Sequence, residues 1–421
     1  MQTNLIQTYQ ASAEGREAEA ILRSCVHCGF CTATCPTYLE LNDERDGPRG
    51  RIYLIKQLLE GGEVTEKTRT HLDRCLTCRS CETTCPSGVK YGRLLDIGRG
   101  LLEQQLPRSK QQRFLRWGLR QVLPYRYRFA ALLWLGQLVQ PLLPARIKAS
   151  VPVKQRPVCT PSAKAQPKRL SSPWPSNSHP RVMLTLAGCA QPSATPNTQA
   201  AASRVLDKLG ISLLEAPDAG CCGAVSYHLS AHDEGLGFMR RNIDAWWPAV
   251  EAGVEALVIS ASGCGAMVKE YGELLKDDPT YAAKALRISQ LSCDLAEVLV
   301  KEDLTRLKLG SGSKNSPGKT AFHCPCTLQH ALKLSGVVEQ VLTNAGIELA
   351  KTTQNHLCCG SAGTYSILQP ELSQQLLGNK LTALTGDQPE RIVTANVGCQ
   401  LHLSSKAQLP VQHWIELLDR T

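Results

Sequence analysis

Two stretches of the sequence decide the fold, Cys25-Val-His-Cys-Gly-Phe-Cys-Thr-Ala-Thr-Cys-Pro36 and Cys75-Leu-Thr-Cys-Arg-Ser-Cys-Glu-Thr-Thr-Cys-Pro86. In each, three cysteines are separated by two residues, and a fourth cysteine follows after three more residues, just before a proline. Three thiolates from one such loop can occupy three corners of a [4Fe-4S] cubane, and the fourth comes from elsewhere in the chain. The doubled spacing therefore predicts two [4Fe-4S] clusters.

The cysteine before each proline decides how the two stretches are linked. In the bacterial ferredoxin pattern this cysteine ligates the other cluster. The predicted ligands of the first cluster are Cys25, Cys28, Cys31 and Cys85. The predicted ligands of the second cluster are Cys75, Cys78, Cys81 and Cys35. Crossed ligation of this kind ties both stretches into one domain, residues 1–105, and points to electron transfer.

A helix is predicted between the two stretches. Pro48 suits its first position, and Gly61 follows its last residues. Its apolar residues recur on one face: Ile52, Ile55, Leu58 and Leu59. The domain is therefore predicted to be a helical ferredoxin type.

Structural zinc and disulfides are the alternatives for these eight cysteines. Zinc sites usually use separated Cys-x2-Cys pairs and do not require the third cysteine or the Cys-Pro ending. Disulfides need an oxidising compartment, whereas Met1–Ala20 lacks the apolar core of a signal peptide. We therefore expect reduced cysteines in the cytoplasm.

The net charge of +10 is unevenly distributed. Residues 104–206 contain 16 Lys or Arg and no Asp or Glu. Within this block, residues 106–145 mix arginines with aromatic and leucine side chains, which predicts basic amphipathic helices. Such helices suit an anionic membrane surface or packing against the first domain or a partner subunit, and both interpretations stay open. No nucleic-acid recognition motif accompanies the basic residues, so nucleic acid is not expected as a partner.

Residues 146–180 are rich in Pro, Ser and Lys without periodicity, which predicts a linker. The cysteines beyond it recur at a fixed distance. Cys189, Cys221-Cys222-Gly223 and Cys264 are followed, 135 or 137 residues later, by Cys324 or Cys326, Cys358-Cys359-Gly360 and Cys399. This period predicts a duplicated domain, residues 181–310 and 318–421.

Each repeat is predicted to alternate strands and helices. The expected elements of the first repeat are strands Arg181–Leu186, Ile211–Leu214 and Glu255–Ser260 and helices Thr198–Leu209 and Ala266–Leu275. Those of the second are strands Thr320–His323, Ile347–Ala350 and Ile392–Thr394 and helices Leu328–Ala345 and Glu371–Leu384. This order implies parallel sheets with right-handed crossovers, so the fold class is α/β, with the helical dicluster domain in front.

The repeated cysteines lie just past strands, where open α/β sheets bind ligands. A third site is therefore predicted from Cys189, Cys221, Cys222, Cys264, Cys324, Cys326, Cys358, Cys359 and Cys399. Soft thiolates suit a further iron-sulfur cluster, zinc or a redox-active thiol set, and these three options stay open.

The chain as a whole resembles the family of glycolate oxidase (glycolate dehydrogenase) iron-sulfur subunits. Related subunits for lactate utilisation, anaerobic glycerol-3-phosphate oxidation and heterodisulfide reduction share the duplicated Cys-Cys-Gly domain. Besides the two opening stretches, the likeness lies in Asp46-Gly-Pro-Arg-Gly-Arg-Ile-Tyr53, Gly220-Cys-Cys-Gly-Ala224, Phe322-His-Cys-Pro-Cys-Thr-Leu-Gln-His330 and Leu357-Cys-Cys-Gly-Ser-Ala-Gly-Thr-Tyr365.

This resemblance implies that FAD-containing partner subunits oxidise glycolate to glyoxylate. The present chain then carries the electrons towards a membrane quinone, from the inner face of the bacterial inner membrane. The chain departs from the wider family where a Cys-x2-Cys ends each repeat, because Met267 and His402 stand at the second position. His402 could substitute as a ligand.

Other functions stay open at this point. The substrate of the partner could be lactate or glycerol-3-phosphate. The Cys-Cys-Gly half could be a thiol-disulfide reductase site, or a scaffold without a cluster that docks the flavoproteins. The sequence contains neither a dinucleotide fingerprint nor a general acid and base pair, so substrate chemistry is assigned to the partner.

Overall fold

The computed structural model describes residues 1–142, 175, 177–307 and 318–419. Most of the predicted linker, residues 146–180, lies outside the described residues. The first 142 residues form helices and turns and no strand. The helices are Gln7–Ala11, Ala13–Ser24, Pro36–Leu41, Pro48–Leu59, Glu66–Asp73, Ser80–Thr84, Tyr91–Gln105, Lys110–Val122 and Arg126–Val139. Short 3-10 turns are Phe30–Thr32, Glu44–Asp46 and Gln140–Leu142.

The predicted helix between the cysteine stretches spans Pro48–Leu59, and its four predicted apolar residues are buried. It packs against helix Tyr91–Gln105 at Gly98. A Cβ at Gly98 would come within 2.7 Å of the Ile55 side chain, so only glycine allows this close approach. The core of the dicluster domain therefore lies between these two helices, directly behind the cysteine loops.

The first repeat contains a four-stranded parallel sheet. Its strands are β1 (Arg181–Thr185), β2 (Ile211–Glu215), β3 (Ala256–Ile259) and β4 (Ser292–Asp294), in the order β2-β1-β3-β4. Its helices are Gln191–Ala194, Pro196–Lys208, Ala224–His228, His232–Glu251, Ser262–Lys269, Tyr271–Leu274, Ala282–Leu291 and Leu295–Leu299, and a 3-10 turn spans Leu304–Leu307.

The second repeat has three parallel strands, β5 (Thr320–His323), β6 (Arg391–Thr394) and β7 (Val411–His413), in that order. Its helical elements are Thr327–Ala331, a π-helical turn, then Val337–Asn344, Tyr365–Leu368, Pro370–Thr385, Val397–Ser404 and the 3-10 turn Trp414–Leu417. The predicted parallel α/β repeats behind a helical domain are thus confirmed.

Three predicted elements differ. The expected helix Ala266–Leu275 is divided into Ser262–Lys269 and Tyr271–Leu274. Residues Ile347–Ala350 form a single bridge, between Leu349 and Thr320, where a strand was expected. The expected helix Leu328–Ala345 is interrupted, because Lys333 and Gly336 have positive φ angles of 59° and 82°.

The two repeats share one apolar core. Val258 and Leu295 of the first repeat lie in the same buried cluster as Phe322, Val393 and Trp414 of the second. The backbone N–H of Ser262 also donates to the carbonyl of Ala395 at 3.1 Å. The carboxyl ends of the two sheets are therefore held close to one another. Among the described residues, no helix combines the length and the apolar character that crossing a bilayer needs.

Candidate iron-sulfur and thiol centres

The eight ferredoxin-type cysteines line two neighbouring cavities. The first cavity brings together Cys25, Cys28, Cys31 and Cys85. The second brings together Cys35, Cys75, Cys78 and Cys81. These are the two sets that crossed ligation requires, with Cys35 and Cys85 each facing the loop of the other stretch. Cys81 and Tyr91 border both cavities.

The two cysteine loops have left-handed residues at the same two positions. His27 and Thr77 have φ angles of 56° and 53°, and Gly29 and Arg79 have φ angles of 85° and 60°. Left-handed residues turn successive backbone groups inward, and the N–H of Thr77 reaches the Sγ of Cys75 at 3.4 Å. A left-handed arginine is strained, so the geometry of the loop dominates the local preference of Arg79.

Buried polar atoms at the cavities fit the two clusters. The Nη1 of Arg51 is enclosed and has no hydrogen-bond partner among the described residues. The hydroxyl of Tyr91 is enclosed as well, beside the thiol of Cys75. Burial raises the pKa of the thiols of Cys78 and Cys81 well above the usual value. Metal binding compensates for both features, because iron takes thiolates and cluster sulfurs accept hydrogen bonds.

In the first repeat, four thiols form a chain of contacts. Cys221 contacts Cys189 on one side and Cys222 on the other, and Cys222 contacts Cys264. Cys221 and Cys222 are buried. Gly223 follows with a φ of 90°, and its N–H donates to the Sγ of Cys221 at 3.4 Å. The fold thus brings these four cysteines of the predicted third site together, in a chain of contacts of their own.

The second repeat forms a similar chain, from Cys326 to Cys399. The Sγ atoms of Cys326 and Cys358 are 3.7 Å apart, and Cys359 contacts both Cys358 and Cys399. Cys326, and not Cys324, therefore completes this set. Cys324 lies in the apolar core that the repeats share.

An imidazole that sequence reasoning did not propose as a ligand lies at this second centre. One donor atom each of His323, Cys359 and Cys399 lies within 4.8 Å of the others, and all three residues are buried. The Nδ1 of His323 pairs with the Oγ1 of Thr394 at 2.9 Å, while its Nε2 has no partner among the described residues. Burial holds the pKa of His323 well below its usual value, so the ring is neutral, the form that binds metals.

His402, the substitute suggested by the sequence, is engaged elsewhere. Its Nε2 pairs with the Oγ of Ser373 at 3.1 Å. The rule that carboxyl ends of parallel strands meet could have pointed to His323 instead, because it ends β5 beside the end of β6.

A buried lysine lies beside the thiols of the second repeat. Lys380 is buried, and its Nζ donates to the carbonyl of Gln354 at 2.8 Å. Burial lowers its pKa, while the neighbouring thiols of Cys358 and Cys359 oppose that shift by favouring its charged form. A positive charge here favours the thiolate forms that bind soft metals.

The second cavity of the dicluster domain adjoins this second centre. Cys78 packs in one apolar cluster with Cys358, Tyr365 and Cys326. The hydroxyl of Tyr365 donates to the carbonyl of Arg74 at 3.1 Å, and Thr83 pairs with His330 at 2.9 Å. The first cavity therefore adjoins the second, and the second adjoins the thiols of the second repeat.

The first repeat is tied to the dicluster domain by charged groups. The Nδ1 of His228 pairs with Asp96 at 3.1 Å, and Arg79 forms an ion pair with Glu270. The two repeats thus flank the dicluster domain through different kinds of contact.

The basic helices Lys110–Val122 and Arg126–Val139 have two kinds of surface. Their arginines are paired with acids of other elements: Arg116 with Asp73, Arg120 with Glu234 and Arg126 with Glu215. Their apolar side chains remain exposed: Phe114 at 71%, Trp134 at 60% and Leu138 at 62%. Arg116 thus contacts the dicluster domain, as one of the two interpretations expected, Arg120 and Arg126 contact the first repeat, and an apolar surface stays exposed.

Comparison with known proteins agrees with this architecture. Residues 21–89 match the 4Fe-4S dicluster domain, which gives the chain two [4Fe-4S] clusters. Residues 183–269 and 320–404 each match the Cysteine-rich domain named CCG.

Relatives of the whole chain are also found. The chain is 56% identical to the glycolate oxidase iron-sulfur subunit of Escherichia coli strain K12, covering 100% of this chain and 99% of that protein. It is 32% identical to the probable glycolate oxidase iron-sulfur subunit of Bacillus subtilis strain 168, covering 92% and 89%. Lactate utilization protein A of Bacillus licheniformis is 24% identical over 53% of this chain and 92% of that protein. The chain therefore belongs to the family of glycolate oxidase iron-sulfur subunits, components of an oxidoreductase complex.

Proposed function

We propose that this chain is the electron-transfer subunit of a glycolate dehydrogenase complex. FAD-containing partner subunits oxidise glycolate to glyoxylate, and this chain passes the electrons towards a membrane quinone. The observation that carries the proposal is the contact between the second cysteine cavity and the thiols of the second repeat, at Cys78, Cys326 and Cys358. A two-cluster domain in contact with a further thiol centre is an arrangement for passing electrons onward.

The chemistry that the clusters supply is one-electron transfer at potentials set by hydrogen bonds, charge and solvent exposure. The residues of this chain position and enclose them. The loops supply the thiolates, Arg51 and Tyr91 supply buried donors, and the helices Pro48–Leu59 and Tyr91–Gln105 exclude water from one side. Substrate oxidation is left to the flavoprotein partner.

The test is to purify the complex through a tag on this chain, identify its partners, and compare glycolate with lactate in one quinone-reduction assay. Glycolate turnover with a flavoprotein present supports the proposal. Faster turnover of lactate would assign the complex to another 2-hydroxy acid. Purification without any flavoprotein would overturn the role.

The crossed ligand sets have a separate test. Cys35→Ser is expected to disturb the cluster held by Cys75, Cys78 and Cys81, with the paramagnetic signal of the other cluster retained. Cys85→Ser is the matched variant and is expected to disturb the other signal. If each variant instead removes the signal of its own stretch, the ligation is not crossed.

We propose a third metal centre at the thiols of the second repeat, with His323 beside Cys359 and Cys399. Iron counting on anaerobically purified protein decides its nature: about twelve irons per chain support a third cluster, and about eight with bound zinc support a zinc site. About eight irons and no zinc would leave a thiol site or a scaffold.

The exposed apolar surface of the helices Lys110–Val122 and Arg126–Val139 supports a peripheral membrane contact. The exposed aromatic side chains and the exposed Arg113 on the same helices suit anionic lipid at an interface. Trp134→Ser combined with Leu138→Ser is expected to reduce co-sedimentation with phosphatidylglycerol vesicles. Leu214→Ser, at another exposed leucine on β2, is the control. Equal sedimentation of both variants would reject the membrane contact.

A further inference from the structure

The buried guanidinium of Arg51 is an unusual feature of the second cysteine cavity. Arg51 is 0% exposed and lines the cavity that contains Cys35, Cys75, Cys78 and Cys81. Its Nε donates to the carbonyl of His71 at 2.7 Å, and its Nη2 donates to the Oγ1 of Thr37 at 3.1 Å. These two bonds fix the plane of the guanidinium and leave the enclosed Nη1 without a partner among the described residues.

The charge of Arg51 is incompletely balanced by protein groups. Among the described residues its carboxylate partner is Asp46, and the Nη2 to Oδ1 distance is long, at 3.5 Å. The same carboxylate accepts from Arg74 at 2.9 Å and pairs with His71 at 3.1 Å. One carboxylate thus faces two guanidinium groups in a buried place, where an uncompensated charge is costly.

A cluster held by four thiolates supplies the missing negative charge. Its net charge is negative and becomes more negative when an electron is added, so a buried cation favours the reduced form. The Nη1–H of Arg51 is the donor left for a cluster sulfur, and such bonds and charges set cluster potentials.

The first cavity has no comparable group among the described residues. Its lining arginine, Arg49, has a side chain that is 36% exposed and is paired with Glu44 at 2.6 Å. Solvent and this carboxylate screen the charge of Arg49. Arg79, the other cation lining the second cavity, is likewise paired, with Glu270.

We propose that Arg51 makes the cluster of Cys35, Cys75, Cys78 and Cys81 the more easily reduced of the two. Electron transfer from the cluster of Cys25, Cys28, Cys31 and Cys85 to this cluster, and so towards the second repeat, is thereby favourable. The inference deepens the electron-transfer function proposed above, because the favoured cluster is the one that adjoins Cys326 and Cys358. The role of Arg51 is to raise the reduction potential of this cluster; it takes no part in bond making or breaking.

The test is a redox titration of the full chain without its partners, followed by the paramagnetic signals of both clusters. In Arg51→Gln, the ratio of reduced to oxidised cluster at a fixed potential is expected to fall at least tenfold for one cluster. For a one-electron couple this equals a shift of 59 mV. The affected signal is expected to be the one that Cys78→Ser removes. Arg49→Gln, the matched control, is expected to shift neither cluster by this amount.

Arg51→Lys separates charge from folding. This variant keeps the positive charge, so the reduction potential of the cluster is expected to stay close to that of the parent. An equal fall of the reduction potential in Arg51→Lys and Arg51→Gln would show that charge is not the cause. Unchanged potentials in an Arg51→Gln protein with full iron content would also overturn the inference. Because no partner or quinone is present, these outcomes are independent of whether glycolate is the substrate of the complex.

Discussion

The two cysteine-rich repeats have the same backbone at their Cys-Cys-Gly turns but differ in the polar groups buried beside them. Gly223 and Gly360 have φ angles of 90° and 88°, and each donates its N–H to the first cysteine of its pair, at 3.4 and 3.5 Å. The turn is therefore a fixed device of the fold, and any difference in chemistry must come from its neighbours.

The first repeat has an imidazole near its turn, that of His228 beside Cys222, but the two repeats differ at two matching positions. Thr320 pairs with Leu349 in the second repeat in the same way that Met183 pairs with Leu213 in the first. Three residues further along each strand, His323 therefore occupies the position of Leu186. The glycine of each turn packs against the following long helix: Gly360 against Ser373 and Leu376, and Gly223 against Gly235 and Phe238. The same alignment of these helices places Lys380 at the position of Asn242. The turn is thus the same in both repeats, while these two positions hold an imidazole and an amine in the second repeat and neutral side chains in the first.

The largest expected effect compares the same cysteine in each repeat. Cys358→Ser is expected to lower glycolate-dependent quinone reduction by the complex roughly 100-fold or more, because Cys358 adjoins Cys78 and even outer partners of a metal site cost 10–100-fold. Cys221→Ser, at the matching position, is expected to retain more activity. Equal losses would mean that both repeats lie on the electron route.

The second prediction concerns the imidazole that distinguishes the repeats. His323→Leu, which copies Leu186, is expected to weaken metal binding at the second repeat about 10–100-fold. The measurement is iron and zinc per chain after dialysis against a chelator. His402→Leu is the control, since its Nε2 pairs with Ser373. Unchanged metal content in the His323 variant would remove the imidazole from the site.

The third prediction concerns two buried helix caps at matching strand ends. Asp294 ends β4 opposite Ile259, and His413 ends β7 opposite Thr394. Burial raises the pKa of Asp294 to about 7 and lowers the pKa of His413 to about 4. Burial keeps His413 neutral, and in that form its Nδ1 accepts from the N–H of Ile415; its Nε2 donates to the carbonyl of Ser260, which opposes the lowering of the pKa.

The two caps act in opposite directions between about pH 4 and pH 7. A raised acid pKa means that stability is lost as pH rises through that window, and a lowered histidine pKa means that stability is lost as pH falls. Asp294→Asn should therefore steepen acid destabilisation and His413→Asn should reduce it, each by about 3 kcal/mol across the window. Urea unfolding at several pH values measures this. Parallel pH profiles for both variants and the parent would contradict it.

The sequence was a good guide where one local pattern determined the outcome. The spacing of cysteines and the apolar face of Pro48–Leu59 predicted the dicluster domain, and the cysteine period predicted the duplication. Long-range features were less accessible. His323 meets Cys359 and Cys399 only because β5 and β6 are neighbours in the sheet, and Arg51 is one arginine among many until its burial is known. The expected strand Ile347–Ala350 shows the same limit, because its pairing with β5 is confined to Thr320, which donates to Glu348 and accepts from Ala350.

The smallest effect compares the residues that hold the two turns, Asn242 and Lys380. Asn242 is wholly buried; it accepts from the N–H of Gly220 at 2.8 Å and donates to the carbonyl of Cys221 at 2.8 Å and to Tyr271 at 3.2 Å. Within the described part of the chain, Lys380 makes one such bond, to Gln354. Asn242→Leu is therefore expected to cost about 2 kcal/mol more unfolding free energy than Lys380→Met, because it loses two more buried hydrogen bonds and each is worth about 1 kcal/mol. Urea unfolding of the metal-free protein isolates this contribution. A larger loss for Lys380→Met would mean that its charge also stabilises the free thiols, and the contrast between a neutral and a charged turn would then extend to folding as well as to metal binding.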